Sequence, residues 1–104
     1  MIAKQLCRSV NTIERAQAIY VSRSDAEKFI ELCEASGVGI LGYDGIYCKE
    51  GSTESPISLI VDLSDLKKEL SSSDFVRESC ARSMRFLSEF PEDDDLYIDF
   101  VLDD

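Results

Sequence analysis

Leu96-Tyr97-Ile98-Asp99-Phe100-Val101-Leu102 is an apolar run set inside the most acidic part of the chain. Residues 89–104 hold eight carboxylates (Glu89, Glu92, Asp93, Asp94, Asp95, Asp99, Asp103 and Asp104) and no Lys or Arg. An acidic stretch without apolar residues would be a solvated tail. This one has the two-residue period of a strand, with Tyr97, Asp99 and Val101 on one face and Ile98, Phe100 and Leu102 on the other. One set is expected to face a core, and the set with Asp99 to face solvent or a partner. A strand here would hold its charges in fixed positions.

Upstream, Ser73 is placed to cap a helix whose first turn carries Asp74 and Glu78. Val76, Cys80, Met84 and Leu87 recur on one helical face, and Pro91 marks the stop. Arg82 and Arg85 suit its negative C-terminal end. A second helix is predicted over residues 25–36. Ser24-Asp25-Ala26-Glu27 has the capping-box spacing, Ala26, Phe29, Ile30 and Cys33 form an apolar face, and Gly37 supplies the stop.

Between the two helices, Val38-Gly39-Ile40-Leu41 and Ile46-Tyr47-Cys48 flank Gly42-Tyr43-Asp44-Gly45. The pattern fits either a tight hairpin or one bulged strand. Residues 49–56 read as a polar loop, residues 57–62 as a short β-branched strand, and residues 64–70 as a helical turn. Residues 17–22 fit a strand, but a helix from Asn11 or Thr12 through Ala18 fits as well. The sum is an α+β fold, one domain over residues 1–104, with a mostly antiparallel or mixed sheet and two main helices packed on it.

Charge narrows the function. The net charge of −10 belongs wholly to residues 50–104, because residues 1–49 hold six acids and six bases. That balance repels phosphates and anionic lipid, so neither nucleic acid nor membrane is an expected partner. No apolar run is long enough to span a bilayer, and the N-terminal residues do not read as a secretory signal, which makes the cytoplasm the expected compartment.

Histidine is absent, and Cys7, Cys33, Cys48 and Cys80 show no metal-ligand spacing, so they read as free thiols. No phosphate-binding loop or nucleophile elbow occurs, and the acids at 92–95 lack the glycine and spacing of a calcium loop. No cofactor, metal or catalytic activity is expected.

A helix containing Ile30-Glu31-Leu32 leads to Gly37-Val38-Gly39-Ile40-Leu41-Gly42-Tyr43-Asp44. A second helix, with Glu78-Ser79-Cys80-Ala81-Arg82-Ser83-Met84-Arg85-Phe86-Leu87, is closed by Glu89-Phe90-Pro91 and a final strand. Over residues 24–102 this order resembles the immunity protein 40 family of bacterial polymorphic-toxin and contact-dependent growth inhibition systems. The chain departs from that family in having no tryptophan. The resemblance implies a protein that binds one cognate toxin C-terminal domain and blocks it without catalysis.

A nuclease-type toxin would be basic, which suits an anionic inhibitor. The expected contact residues are Glu92, Asp93, Asp94, Asp95, Tyr97, Asp99, Asp103 and Asp104, with Tyr43 and Asp44 beside them. Tyr43, Tyr47, Tyr97 and Phe90 serve equally well as core residues. The competing function is an acidic adaptor or regulatory binding module unrelated to toxins.

Overall fold

Six antiparallel strands form the frame on which everything else is packed. A computed structural model describes residues 2–104, so Met1 of the expected domain lies outside it. The chain runs through α1 (Ile2–Cys7), β1 (Thr12–Arg15), β2 (Ala18–Ser22), α2 (Ala26–Ala35), β3 (Gly39–Lys49), β4 (Ser52–Glu54), β5 (Ile60–Asp62), α3 (Ser64–Glu69), α4 (Ser72–Leu87) and β6 (Leu96–Asp103). The strand order is β1-β2-β6-β3-β4, and β5 also pairs with β3.

The acidic run is therefore central. β6 lies between β2 and β3 and pairs with β3 from Leu96 to Asp103. The α+β expectation holds, with α2 and α4 as the main helices on one face of the sheet.

Several local expectations are corrected. Of the two readings left open for residues 11–22, the helix falls and the strand holds as β2: β1 and β2 make a hairpin through Ala16 and Gln17, both at positive φ (48° and 74°). Such two-residue turns favour Asn-Gly, so Ala-Gln gives no turn signal in the sequence. The capping box does not form. Asp25 is the N-cap of α2 without a side-chain cap bond, and Glu27 pairs with Arg23 instead of reaching back.

Of the two readings of residues 38–48, the bulged strand holds and the hairpin does not form. β3 is one strand with a bulge between Ile40 and Gly42. The polar loop contains β4, an exposed edge strand whose alternation is polar on both faces. The expected strand at 57–62 begins as a 3-10 turn (Ile57–Leu59), which leaves Ile57 almost fully exposed.

Helix α4 is capped by Ser71, whose Oγ accepts from the Asp74 amide (3.3 Å), and not by Ser73. Its buried residues are Phe75, Ser79, Cys80, Ser83 and Leu87, while Val76 and Met84 are only partly covered. The small serines let the helix lie close to β3. Ser79 Oγ accepts from the Ile40 amide (3.0 Å), and the Ser83 carbonyl accepts from the Tyr43 hydroxyl (2.7 Å). A hydrophobicity count passes over positions whose role is closeness and hydrogen bonding.

The core lies between the sheet and α2 and α4, with Phe29, Ile30, Ile40, Tyr43, Leu87, Leu96 and Ile98 almost wholly covered. Each side chain of this size contributes about 1.5–3 kcal/mol on burial. Gly45 is required there, since a Cβ would fall 2.8 Å from the Leu59 Cβ and 3.1 Å from the Phe90 ring.

Candidate functional site

Residues paired across neighbouring strands share a face of the sheet. Val21, Gly45 and Ile98 lie together on the helix side. Ser22, Ile46 and Tyr97 therefore lie on the other side, as do Asp44 and Asp99, which stand directly opposite each other. This face, helix-free in the sense that the main helices α2 and α4 pack on the other, is not uniformly open. Ile46 and Cys48 are buried without joining the main core. Arg15 of β1 lines a hollow with Lys49, Gly51, Ser52 and Thr53, although β1 and β4 stand at opposite ends of the strand order. The sheet thus curls enough to bring Arg15 to the same hollow as the β3–β4 turn and near Cys48. Burial raises the Cys48 thiol pKa, and the Arg15 charge partly offsets the rise.

The open part lies beside Asp44 and Asp99. Ile60 stands next to Asp44 on β5, and Val101 lies opposite Gly42. Ile60 and Val101 are 50% and 53% exposed, high values for apolar side chains in strands. With Leu41, Gly42, Asp44 and Asp62 they line a surface hollow of about 370 Å³. A Cβ on Gly42 would fall 2.5 Å from the Val61 carbonyl oxygen, so this close approach of β5 to β3 requires glycine.

Two carboxylates face to face across an antiparallel pair repel each other. Burial first, and the Asp44 charge second, hold Asp99 above the ordinary carboxylate range. Asp62 is held below that range, chiefly by hydrogen bonds from the Ser64 hydroxyl (2.7 Å) and amide (3.0 Å). The hollow therefore has an apolar floor and an acidic rim.

The remaining acids are spread along β6, whose eight residues span about 26 Å at strand rise. Glu92, Asp93, Asp94 and Asp95 are exposed and precede the strand. Their loop is tied down: Asp93 Oδ1 accepts from the Asp95 amide (2.9 Å), and the Asp95 carbonyl accepts from the Cys48 amide (2.8 Å). Glu92, Asp93 and Asp94 line a second hollow with Glu27 and the buried Arg23. Arg23 Nη2 donates to the Leu87 and Phe90 carbonyls (3.1 and 3.5 Å), closing the end of α4. At the far end of β6, Asp103 forms an ion pair with Lys67, and Asp104 is exposed.

Tyr43 is removed from the candidate contact residues. It is 1% exposed, packed against Phe90 and Phe100 with centroids 5.5 and 5.2 Å away, and its pKa is pushed up by burial. Phe90 is likewise core, and Tyr47 packs against it. Tyr97 stays half-buried on the helix-free face. Sequence reasoning missed Ile60, Leu41 and Asp62. Their apolar or capping character gave no sign that they would surround Asp44.

All four cysteines are free. Burial pushes the Cys33 thiol up to about 12 and the Cys80 thiol to about 11, so both stay protonated at neutral pH. Among the described residues, no group of His, Cys, Asp or Glu is arranged to hold a metal ion, and no helix is long and apolar enough to cross a membrane. No family model, curated protein or solved structure matches the chain.

Proposed function

We propose that this protein is an immunity protein that binds a cognate basic toxin domain of nuclease type and neutralises it as a stoichiometric complex. One observation carries this reading: exposed Ile60 and Val101 line a hollow with Asp44 and Asp62, with Asp99 paired opposite Asp44, on the sheet face away from α2 and α4. Interfaces that last combine a desolvated apolar centre with a polar rim, and carboxylates around it select a cationic partner. The resemblance of residues 24–102 to immunity protein 40 points the same way.

The division of labour follows from distance and exposure. Glu92, Asp93, Asp94 and Asp95, held outward on a tied loop, attract a basic domain from afar. The hollow then excludes water, and a Lys or Arg from the toxin settles between Asp44 and Asp99. A cation at that point relieves the repulsion built into the pair, so binding removes a local cost that the free protein carries. No catalytic group is needed for such a role.

Co-expression with the neighbouring toxin domain is the test. The expected outcome is restored growth, a complex with one copy of each chain, and an association rate that falls steeply as salt rises. Binding without protection would instead mark an acidic adaptor. A complex whose association ignores salt would remove the electrostatic role.

A further inference from the structure

The ladder between β2 and β6 is short. Ser22 faces Tyr97 and Val21 faces Ile98, and there the pairing ends, although β6 continues to Asp103 and β2 begins at Ala18. On its other side β6 is paired with β3 as far as Asp103. Residues 99–103 thus have a ladder on one side only, and no other strand among the described residues pairs with them.

The space left there is a cavity of about 350 Å³. Its lining takes in Ala18, Ile19 and Val21 of β2 with the turn residue Gln17, and consecutive residues 99–102 of β6, with Cys7 and Phe29 on the helix side. Successive strand residues point to opposite faces, so a cavity that touches all of them opens in the plane of the sheet, between two strand edges. Alternate backbone N–H and C=O groups of residues 99–103 point into that plane without a strand partner, which is the usual template for adding a strand.

The side chains along the gap select what would fill it. Phe29, Phe100 and Leu102 belong to the core side, whereas Asp99 lies on the helix-free side with Asp44 opposite. We propose that this gap receives an extended segment of a protein partner, added to β6 as a strand whose apolar and basic residues alternate. Its apolar residues would meet Phe29, Phe100 and Leu102, and its basic residues would meet Asp99. The inference deepens the docking reading above, on which its partner class rests, by naming the partner's conformation.

The test uses the full chain, isotopically labelled, with the peptide acetyl-Lys-Val-Lys-Val-Lys-Val-amide as probe and amide hydrogen exchange as readout. Alternate amides within residues 99–103 are expected to exchange at least about tenfold more slowly with peptide present. Replacing Lys by Glu, or methylating alternate peptide nitrogens, should remove that protection. Ala18→Trp, which fills the gap from the β2 side, should remove it too, while exchange in α2 and α4 shows the fold intact.

Unchanged exchange at 99–103 with the Lys peptide overturns the proposal, as does equal protection by the methylated peptide. Protection that rises with protein concentration alone would assign the edge to a second copy and also overturn it. A toxin domain neutralised while these amides stay unprotected sinks strand addition and leaves the immunity reading standing. Peptide-induced protection without neutralisation of any toxin does the reverse.

Discussion

The two faces of β6 are built from alternate residues of one strand, yet they do opposite things. Leu96 and Ile98 are fully covered, and Phe100 packs against Phe29 and Tyr43 (centroids 4.7 and 5.2 Å). Tyr97, Asp99 and Val101, one residue away in each case, are half-buried or exposed and carry a repulsive carboxylate pair. Stability is stored on the helix side, and a local cost is carried on the other. Under the docking reading proposed above, that cost is held in reserve for a partner able to relieve it.

That contrast breaks most readily on the covered side. Ile98→Ala should lower unfolding free energy by about 2–5 kcal/mol, seen as a lower denaturant midpoint, because the packed helices cannot fully collapse into the cavity. A loss below about 1 kcal/mol would mean that the two faces are less different than their burial implies.

Asp99 tests the other face, with the opposite sign. The folded protein holds the Asp99 proton more tightly than the unfolded chain does, so the ionised side chain subtracts from stability at neutral pH. The penalty vanishes as pH falls below the ordinary carboxylate value, where both states are protonated. Asp99→Asn should therefore stabilise by about 0.2–1 kcal/mol at neutral pH, the low end reflecting solvent screening of a half-exposed pair. Melts at neutral and acidic pH check this, since the gain should be absent in acid. The same variant should weaken binding of a basic toxin domain. A destabilised Asp99→Asn would sink the idea that this pair is a reserve.

The smallest effect on stability is expected at the loop preceding β6. Replacing Glu92, Asp94 and Asp95 by Ser, with Asp93 kept for its bond to the Asp95 amide, should change unfolding free energy by less than about 0.5 kcal/mol. Association with a basic partner should slow and lose part of its salt dependence, measured by stopped-flow mixing. An unchanged rate would confine the docking surface to the hollow around Asp44.

Much of this was legible in the residues. The period of Leu96 to Leu102 assigned β6 and its two faces, and the recurrence of Phe29, Ile30 and Cys33 located α2, because side-chain spacing reports burial directly. The β1–β2 turn was not legible, since Ala16 and Gln17 adopt positive φ without the residues that usually announce it. The capping box at Ser24 failed for another reason. Arg23 is drawn to the end of α4, more than sixty positions away, and takes Glu27 with it.

The sequence by itself determined the acid count, the alternation and the two main helices, all local properties of neighbouring residues. Only the tertiary structure decided that Tyr43 is core, that Asp44 meets Asp99, that Ile60 and Val101 share one hollow, and that β2 leaves β6 after two pairs. Those facts depend on register between strands distant in the chain. Register is a collective outcome of packing the whole core, and no single segment encodes it.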